Sequence, residues 1–230
     1  PRFPIMMTRG LLRYIGHKTI RGGRVMTRDN VKWHYVADSN NPDSILVDYD
    51  GVSLYPSAIS RLWLTEGEPI LIKGHFSEKE FLETFTHPDA PEGEYKQHND
   101  GWIHVYSLMC WKDRHFPSLC IKDEKTKLNE YQNFHGAVDT WINAIDLFNL
   151  IEFQKATFYW DAAVVWKGSR HNECRSVIKE LFDFRAKNKQ HPIQLVTKLM
   201  MNSIYGKSAL KPANFEEEIV DAVAGRKLGE

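Results

Sequence analysis

The chain has 230 residues, 42% hydrophobic and 12% aromatic, which is enough apolar mass for a buried core in one or two domains; no run of about 18 apolar residues offers a membrane span. Its N-terminus, Pro1-Arg-Phe-Pro-Ile-Met-Met, lacks the apolar core of a signal peptide, and Cys110, Cys120 and Cys174 make no disulfide framework, so an intracellular reducing compartment is expected. The net charge of zero is unevenly spread: residues 1–36 carry +7 and residues 167–207 carry +6, two local basic stretches that suit a polyanion or, more plainly, solvated helix faces.

In chain order, the basic segment 1–36 is followed by the apolar run Ile45-Leu46-Val47, read as a strand over Ile45–Tyr49 that stops at Asp50 and turns into a helix start. Pro69–Lys73 reads as a strand, and Ser77–Phe85 as a helix with a Ser cap and the early acids Glu78 and Glu80. His87–Asp100, with Pro88, Pro91 and Gly93, is a polar loop. Ile103–Met109 and Ser118–Lys122 read as strands, Asn143–Phe153 as a short helix, and the aromatic and β-branched Ala156–Trp166 as another strand. From His171 to Lys189 the apolar period is helical, through Val177, Ile178, Leu181, Phe182 and Phe184. Pro192 starts a second helix that runs through Tyr205 and is ended by Gly206. The short turn Asn188–His191 between them predicts an antiparallel helical hairpin, and the fold class is α+β.

Two stretches carry chemistry. In Asp50-Gly-Val-Ser53-Leu54-Tyr55-Pro56-Ser a carboxylate sits beside a helix start, a place for a divalent metal and a polyphosphate together. Asp50 is the expected metal ligand, with the Gly51 carbonyl a second oxygen donor, and the N–H groups at Ser53 and Leu54 can face phosphates. Asp48, on the same strand face as Asp50, is an auxiliary ligand or a solvated acid. The second stretch lies on the hairpin. Arg185 and Lys189 are spaced i,i+4 on one helix, and Lys198, Asn202 and Tyr205 share one face of the next, a set able to hold a triphosphate and stack a base. Three other readings stand beside this one. Cys110, His115 and Cys120 suggest a zinc site without a close Cys pair; Asp48-Tyr49-Asp50 matches the Asp-x-Asp of glycosyltransferases; and the chain could be a non-catalytic nucleotide- or DNA-binding module.

Taken in order, Asp-x-x-Ser-Leu-Tyr-Pro at 50–56 and Lys198-x-x-x-Asn202-Ser-x-Tyr205-Gly206 resemble the first two polymerase motifs of family B DNA polymerases. Arg185, Lys189 and Lys198 resemble the triphosphate-binding trio on that family's fingers, and Tyr55 its sugar-selecting tyrosine. Arg21-Gly22-Gly23 resembles the Tyr-x-Gly-Gly linker that contacts the template, with Ile20 in place of the tyrosine. Phe116–Lys122 with Asn129-Glu130-Tyr131 looks like the insertion of the protein-primed subgroup, which contacts DNA and a terminal protein.

The resemblance implies part of a palm, an antiparallel sheet with helices, plus a two-helix fingers hairpin. It divides the chain into 1–36 (basic segment and linker), 37–62 (palm and first motif), 63–155 (insertion and palm elements), 156–170 (palm), 171–206 (fingers) and 207–230 (the start of a second insertion). It further implies Mg²⁺ or Mn²⁺, dNTPs in contact with Ser53, Leu54, Tyr55, Arg185, Lys189, Lys198, Asn202 and Tyr205, and primer–template DNA in contact with Arg21, Gly22, Gly23, Lys122 and Gly206. The family's third motif, Tyr-x-Asp-Thr-Asp, does not occur in these 230 residues, so the isolated chain is expected not to polymerise.

Overall fold

Burial alternates along Asp100–Met109: Gly101, Ile103 and Val105 are buried and Trp102, His104 and Tyr106 are half-exposed, which marks a strand with one covered face. The computed structural model describes residues 10–21, 23–25, 31–32, 34–36, 38, 40–41, 44, 47–51, 53–65, 67–89, 99–122, 129–168 and 170–208. Its elements are α1 (Gly10–Thr19), α2 (Leu54–Arg61), β1 (Leu64–Thr65), β2 (Ile70–Ser77), α3 (Glu78–Thr84), β3 (Asp100–Met109), β4 (Cys120–Lys122), β5 (Asn129–Tyr131), β6 (His135–Asn143), α4 (Ala144–Gln154), β7 (Thr157–Trp166), β8 (Arg170–His171), α5 (Cys174–Lys187) and α6 (Ile193–Ser208). No helix among the described residues is long and apolar enough to cross a membrane.

The main sheet is antiparallel throughout, in the order β2-β7-β3-β6, so the α+β expectation holds. Helices α3 and α4 cover one face of it. Phe81 is fully buried there, 4.8 Å from the Phe148 ring, 5.1 Å from Phe85 and 5.2 Å from Phe158, while Phe76 stacks on Trp160 at 4.2 Å. Ile103, Val105, Leu108, Ala163 and Val165 complete the core from the strands. Each buried Phe, Ile, Leu or Val side chain among these contributes about 1.5–3 kcal/mol by leaving water. Helix α3 begins where expected because Ser77 and Glu80 form a reciprocal capping box. On the opposite face, His104 of β3 lies with Nδ1 2.7 Å from Asp161 of β7 and Nε2 2.8 Å from Asp139 of β6, so one ring ties three strands.

Four differences from the sequence reading have physical causes. Val47–Asp50 is irregular and exposed, not the end of a strand, because no described strand lies beside it to satisfy its backbone; Ile45 and Leu46 fall outside the described residues. The strand β6 is not expected from the sequence, its alternating Val138 and Ile142 being interrupted by Gly136 and Asp139; it is held by its register against β3, Ile142 opposite Ile103. Helix α1 is not expected either, because its basic residues Arg13, His17 and Lys18 mask its one buried large apolar side chain, Ile15. Finally, α6 continues through Gly206 to Ser208, since a glycine within a helix costs only about 1 kcal/mol and does not by itself stop it.

Candidate nucleotide-binding site

The turn into α2 is built on Ser53, whose backbone is left-handed at φ 48°, ψ 52°. A serine before a helix ordinarily caps it by accepting from the first turn. Ser53 makes no such bond; its hydroxyl is turned elsewhere. Asp50 and Gly51 precede it in an exposed segment without regular structure, and Leu54 and Tyr55 stand exposed on the first turn of α2. Pro56 is the buried residue of that helix.

Helix α2 packs against both α5 and α6, which pack on each other as the expected hairpin through the turn after Lys187. Ile178 and Cys174 of α5 and Thr197 and Met201 of α6 are buried. The far end of α2 is pinned as well. Asn172 donates from Nδ2 to the Leu62 carbonyl, and Arg175 donates from Nε to the Ser60 carbonyl at 2.9 Å with its guanidinium 5.4 Å from the Trp63 ring. β1 and β8 close the same corner with an antiparallel pair.

At the near end, Arg185 of α5 donates from Nη1 to Ser53 Oγ at 2.8 Å, and its Nε points to Gln194 Oε1 of α6 at 3.4 Å. One side chain thus joins the turn after Asp50 to both helices of the hairpin. Two motifs separated by 132 residues meet in this contact. Gln194 is a member that sequence reading missed; nothing but its place near the start of α6, facing Arg185, marks it. Lys189 departs from expectation. Helix α5 ends at Lys187, so Lys189 lies exposed in the turn and shares no helical face with Arg185. Lys198 and Asn202 are exposed on α6, one turn apart as anticipated; Tyr205 and Gly206 lie on the same helix, the Tyr205 side chain outside the description.

Arg21 of the linker motif is also tied into the fold. All three of its guanidinium nitrogens contact the protein: Nε donates to the Cys120 carbonyl at 2.8 Å, Nη1 to the carbonyls of Lys18 and Ile20, and Nη2 to Thr140 Oγ1 and the Trp141 carbonyl, both at 3.4 Å. Burial lowers the guanidinium pKa from its ordinary value, against the opposing pull of Cys120 and Asp146. The Asp146 carboxyl is raised, again chiefly by burial. Arg24 extends the strap, donating to the Pro117 carbonyl at 2.5 Å and lying 3.9 Å over the Tyr131 ring. In this arrangement Arg21 is engaged chiefly with the protein itself. Gly23 is exposed with open space beside it, Gly22 lies outside the described residues, and Lys122 belongs to β4 with its side chain outside the description.

The donor chemistry of Asp50 and the Gly51 carbonyl, hard oxygen on an exposed turn, suits Mg²⁺ or Mn²⁺. Among the described residues no three His, Cys, Asp or Glu side chains cluster to hold a metal ion, so the described residues offer at most one side of such a site. Cys110 and Cys120 of the zinc reading are buried free thiols.

An antiparallel sheet flanked by helices, with a helical hairpin closing on an aspartate turn, is the architecture expected of a polymerase segment. The family model for DNA polymerase type B, organellar and viral, matches residues 2–227, and the chain belongs to that family. This sets aside the glycosyltransferase alternative. The chain is 25% identical over 201 residues to the DNA polymerase of Bacillus phage phi29, a match covering 84% of this chain and 30% of that protein, and equally so to the DNA polymerase of Bacillus phage PZA. It thus spans about 30% of the length of the curated relatives it matches. The orthorhombic crystal structure of phi29 DNA polymerase superposes with a TM-score of 0.51 at 22% identity, over 70% of this chain and 26% of that one, a likeness of fold.

Proposed function

We propose that this chain is the part of a protein-primed, template-directed DNA polymerase that holds the incoming dNTP and one carboxylate of its two-metal centre. The observation that carries the reading is the 2.8 Å contact between Arg185 and Ser53, which draws the cationic hairpin to the Asp50 turn. A triphosphate seated there meets Arg185, Lys189 and Lys198, with the N–H groups of Ser53 and Leu54 below it and Asn202 and Tyr205 alongside. Asp50 and the Gly51 carbonyl face the metal side; the bound ion would neutralise phosphate charge. Leu54, Leu195, Val196, Leu199 and Met200 are exposed apolar side chains on α2 and α6, as suits surfaces covered by further polymerase. Gly23, Lys122 and Gly206 are left to touch primer–template DNA, and the 63–155 region to meet DNA and a terminal protein.

The test is primer extension. The complete polypeptide is expected to incorporate dNTPs with Mg²⁺ and to lose this with Asp50→Asn, and the 230-residue chain is expected not to extend at all. Extension by the 230-residue chain that Asp50→Asn leaves intact would refute the assignment of Asp50. A complete polypeptide that binds dNTPs without incorporating them would favour a binding module.

A further inference from the structure

We infer that Ser53 is a positioning residue, a latch that holds Arg185, and with it the α5–α6 hairpin, over the Asp50 turn until nucleotide phosphate takes its place. The inference rests on the nucleotide-site reading above and adds to it a device that acts before the nucleotide arrives. Three observations lead to it. Ser53 occupies the left-handed region at φ 48°, a conformation that a side chain beyond glycine rarely adopts and that persists only where its surroundings hold it. Its hydroxyl ignores the helix it precedes and instead accepts from Arg185 at 2.8 Å. Arg185, among the described residues, meets no carboxylate; its side-chain contacts are two neutral oxygens, Ser53 Oγ and Gln194 Oε1.

The combination makes the contact exchangeable in one direction. A guanidinium on single neutral oxygens lacks the paired, oppositely charged contact that it can make bidentately with phosphate, so phosphate is the stronger partner. A triphosphate entering between α2 and the hairpin therefore displaces the hydroxyl, and among the described residues no carboxylate holds Arg185 against it. A carboxylate at the same position would hold the cation too well, and an alanine would leave the hairpin unattached at this end. The strained backbone fits the same role, since it directs the Ser53 side chain away from capping and toward α5.

The complete polypeptide is compared with its Ser53→Gly and Ser53→Asn variants. Glycine removes the hydroxyl and relieves the backbone; asparagine tolerates the left-handed region and restores an acceptor. Trypsin cleavage after Lys187 and Lys189, exposed at the hairpin turn, reports how firmly the hairpin is held. Without nucleotide, Ser53→Gly is expected to be cut several-fold faster than wild type and Ser53→Asn close to the wild-type rate; with saturating dNTP all three should be cut alike. Dissociation constants for dNTP should fall several-fold in Ser53→Gly, because the latch stabilises only the nucleotide-free state and phosphate must displace it. A change in fold would persist with dNTP bound, so the convergence separates the latch from mere structural support. Equal nucleotide-free cleavage of wild type and Ser53→Gly overturns the latch, as does faster cleavage that dNTP does not reverse. Arg185→Ala marks the other failure: if it leaves dNTP affinity unchanged, the nucleotide-site reading falls and the latch with it, whereas a loss of affinity beside an unaffected Ser53→Gly refutes the latch alone.

Discussion

Arg21 donates to the carbonyl of Cys120 across 99 residues of sequence, and the same guanidinium reaches Thr140 and Trp141 on β6. A residue of a linker motif is thereby an internal fastener between α1, β4 and β6. Removing it strands carbonyls that its charge satisfied, so Arg21→Ala should destabilise the chain by about 2–3 kcal/mol, in the range for hydrogen bonds to a charged group. Arg21→Lys should recover less than half, because an ammonium cannot reproduce a planar five-donor fork. Urea denaturation without DNA measures both. Unchanged midpoints accompanied by weakened DNA binding would restore the template-contact role.

Gly101 is a second position where packing leaves no latitude. A Cβ built there lies 2.1 Å from the Val164 carbonyl oxygen of β7 and 3.1 Å from the Phe85 ring. Gly101→Ala must push β3 from β7 or displace α3, at a cost of about 1–3 kcal/mol or more by the measure of overpacked cores. Hydrogen exchange should show lost protection in β3 and β7, with the α5–α6 hairpin unaffected.

The capping box of α3 gives the chain an acid-sensitive element. Hydrogen bonds from the Ser77 side chain and then its backbone N–H hold the Glu80 carboxyl below the ordinary range. A folded-state pKa lower than the unfolded one contributes stability above about pH 4.5, lost as pH falls through the folded value. The Glu78 and Asp146 carboxyls, both raised by burial, run the other way: their folded pKa lies above the unfolded one, and they gain stability on acidification. The measurement is the urea midpoint of wild type and Glu80→Gln between pH 7 and pH 3. The difference between the two should shrink as pH drops. Ser77→Ala should cost about 1 kcal/mol at pH 7, as lost caps do.

Local signals in the sequence were the ones that carried through. Ser77 and Glu80 stand three apart and their reciprocal bonds depend on nothing distant, so α3 could be read directly. The hairpin was legible because the apolar spacing around Ile178 acts within the first helix and Pro192 opens the second. What depended on remote partners was not. The ladder that makes His135–Asn143 a strand lies in β3, and the purpose of Arg21 lies in carbonyls 99 to 120 residues away. The Asp50 turn is intermediate: its helix start was evident from Ser53 onward, but a strand before it needs a neighbour that sequence periodicity cannot supply. The meeting of Ser53 with Arg185 follows from packing of α2 on α5, which neither motif encodes by itself.

Lys198, exposed on α6, offers a point charge without geometric demands. In the complete polymerase, Lys198→Ala is expected to weaken dNTP binding by about 1–3 kcal/mol, the range for charged hydrogen bonds. The salt dependence of binding should fall with it, as one cation leaves the site. A fluorescence titration at two ionic strengths distinguishes this from a merely solvated lysine, for which affinity and salt slope would both stay as in wild type.

Tyr55 stands on the first turn of α2 with 52% of its surface exposed, five residues past Asp50 and two past the left-handed Ser53. That turn leaves the ring on the exposed side of α2, away from the buried side that Pro56 occupies, as the proposed nucleotide site requires. A rigid ring next to the sugar C2′ leaves room for hydrogen and none for a hydroxyl. Steric exclusion of this kind is expected to exceed the roughly 1–3 kcal/mol that a single methylene contact gives in a pocket. In the complete polymerase Tyr55→Val should therefore raise ribonucleotide incorporation relative to deoxynucleotide, and Tyr55→Phe should keep the wild-type ratio because the ring remains. Single-turnover rates with matched dNTP and rNTP pairs give the answer. If Tyr55→Val slows both substrates equally, the ring supports the α2 turn and does not gate the sugar.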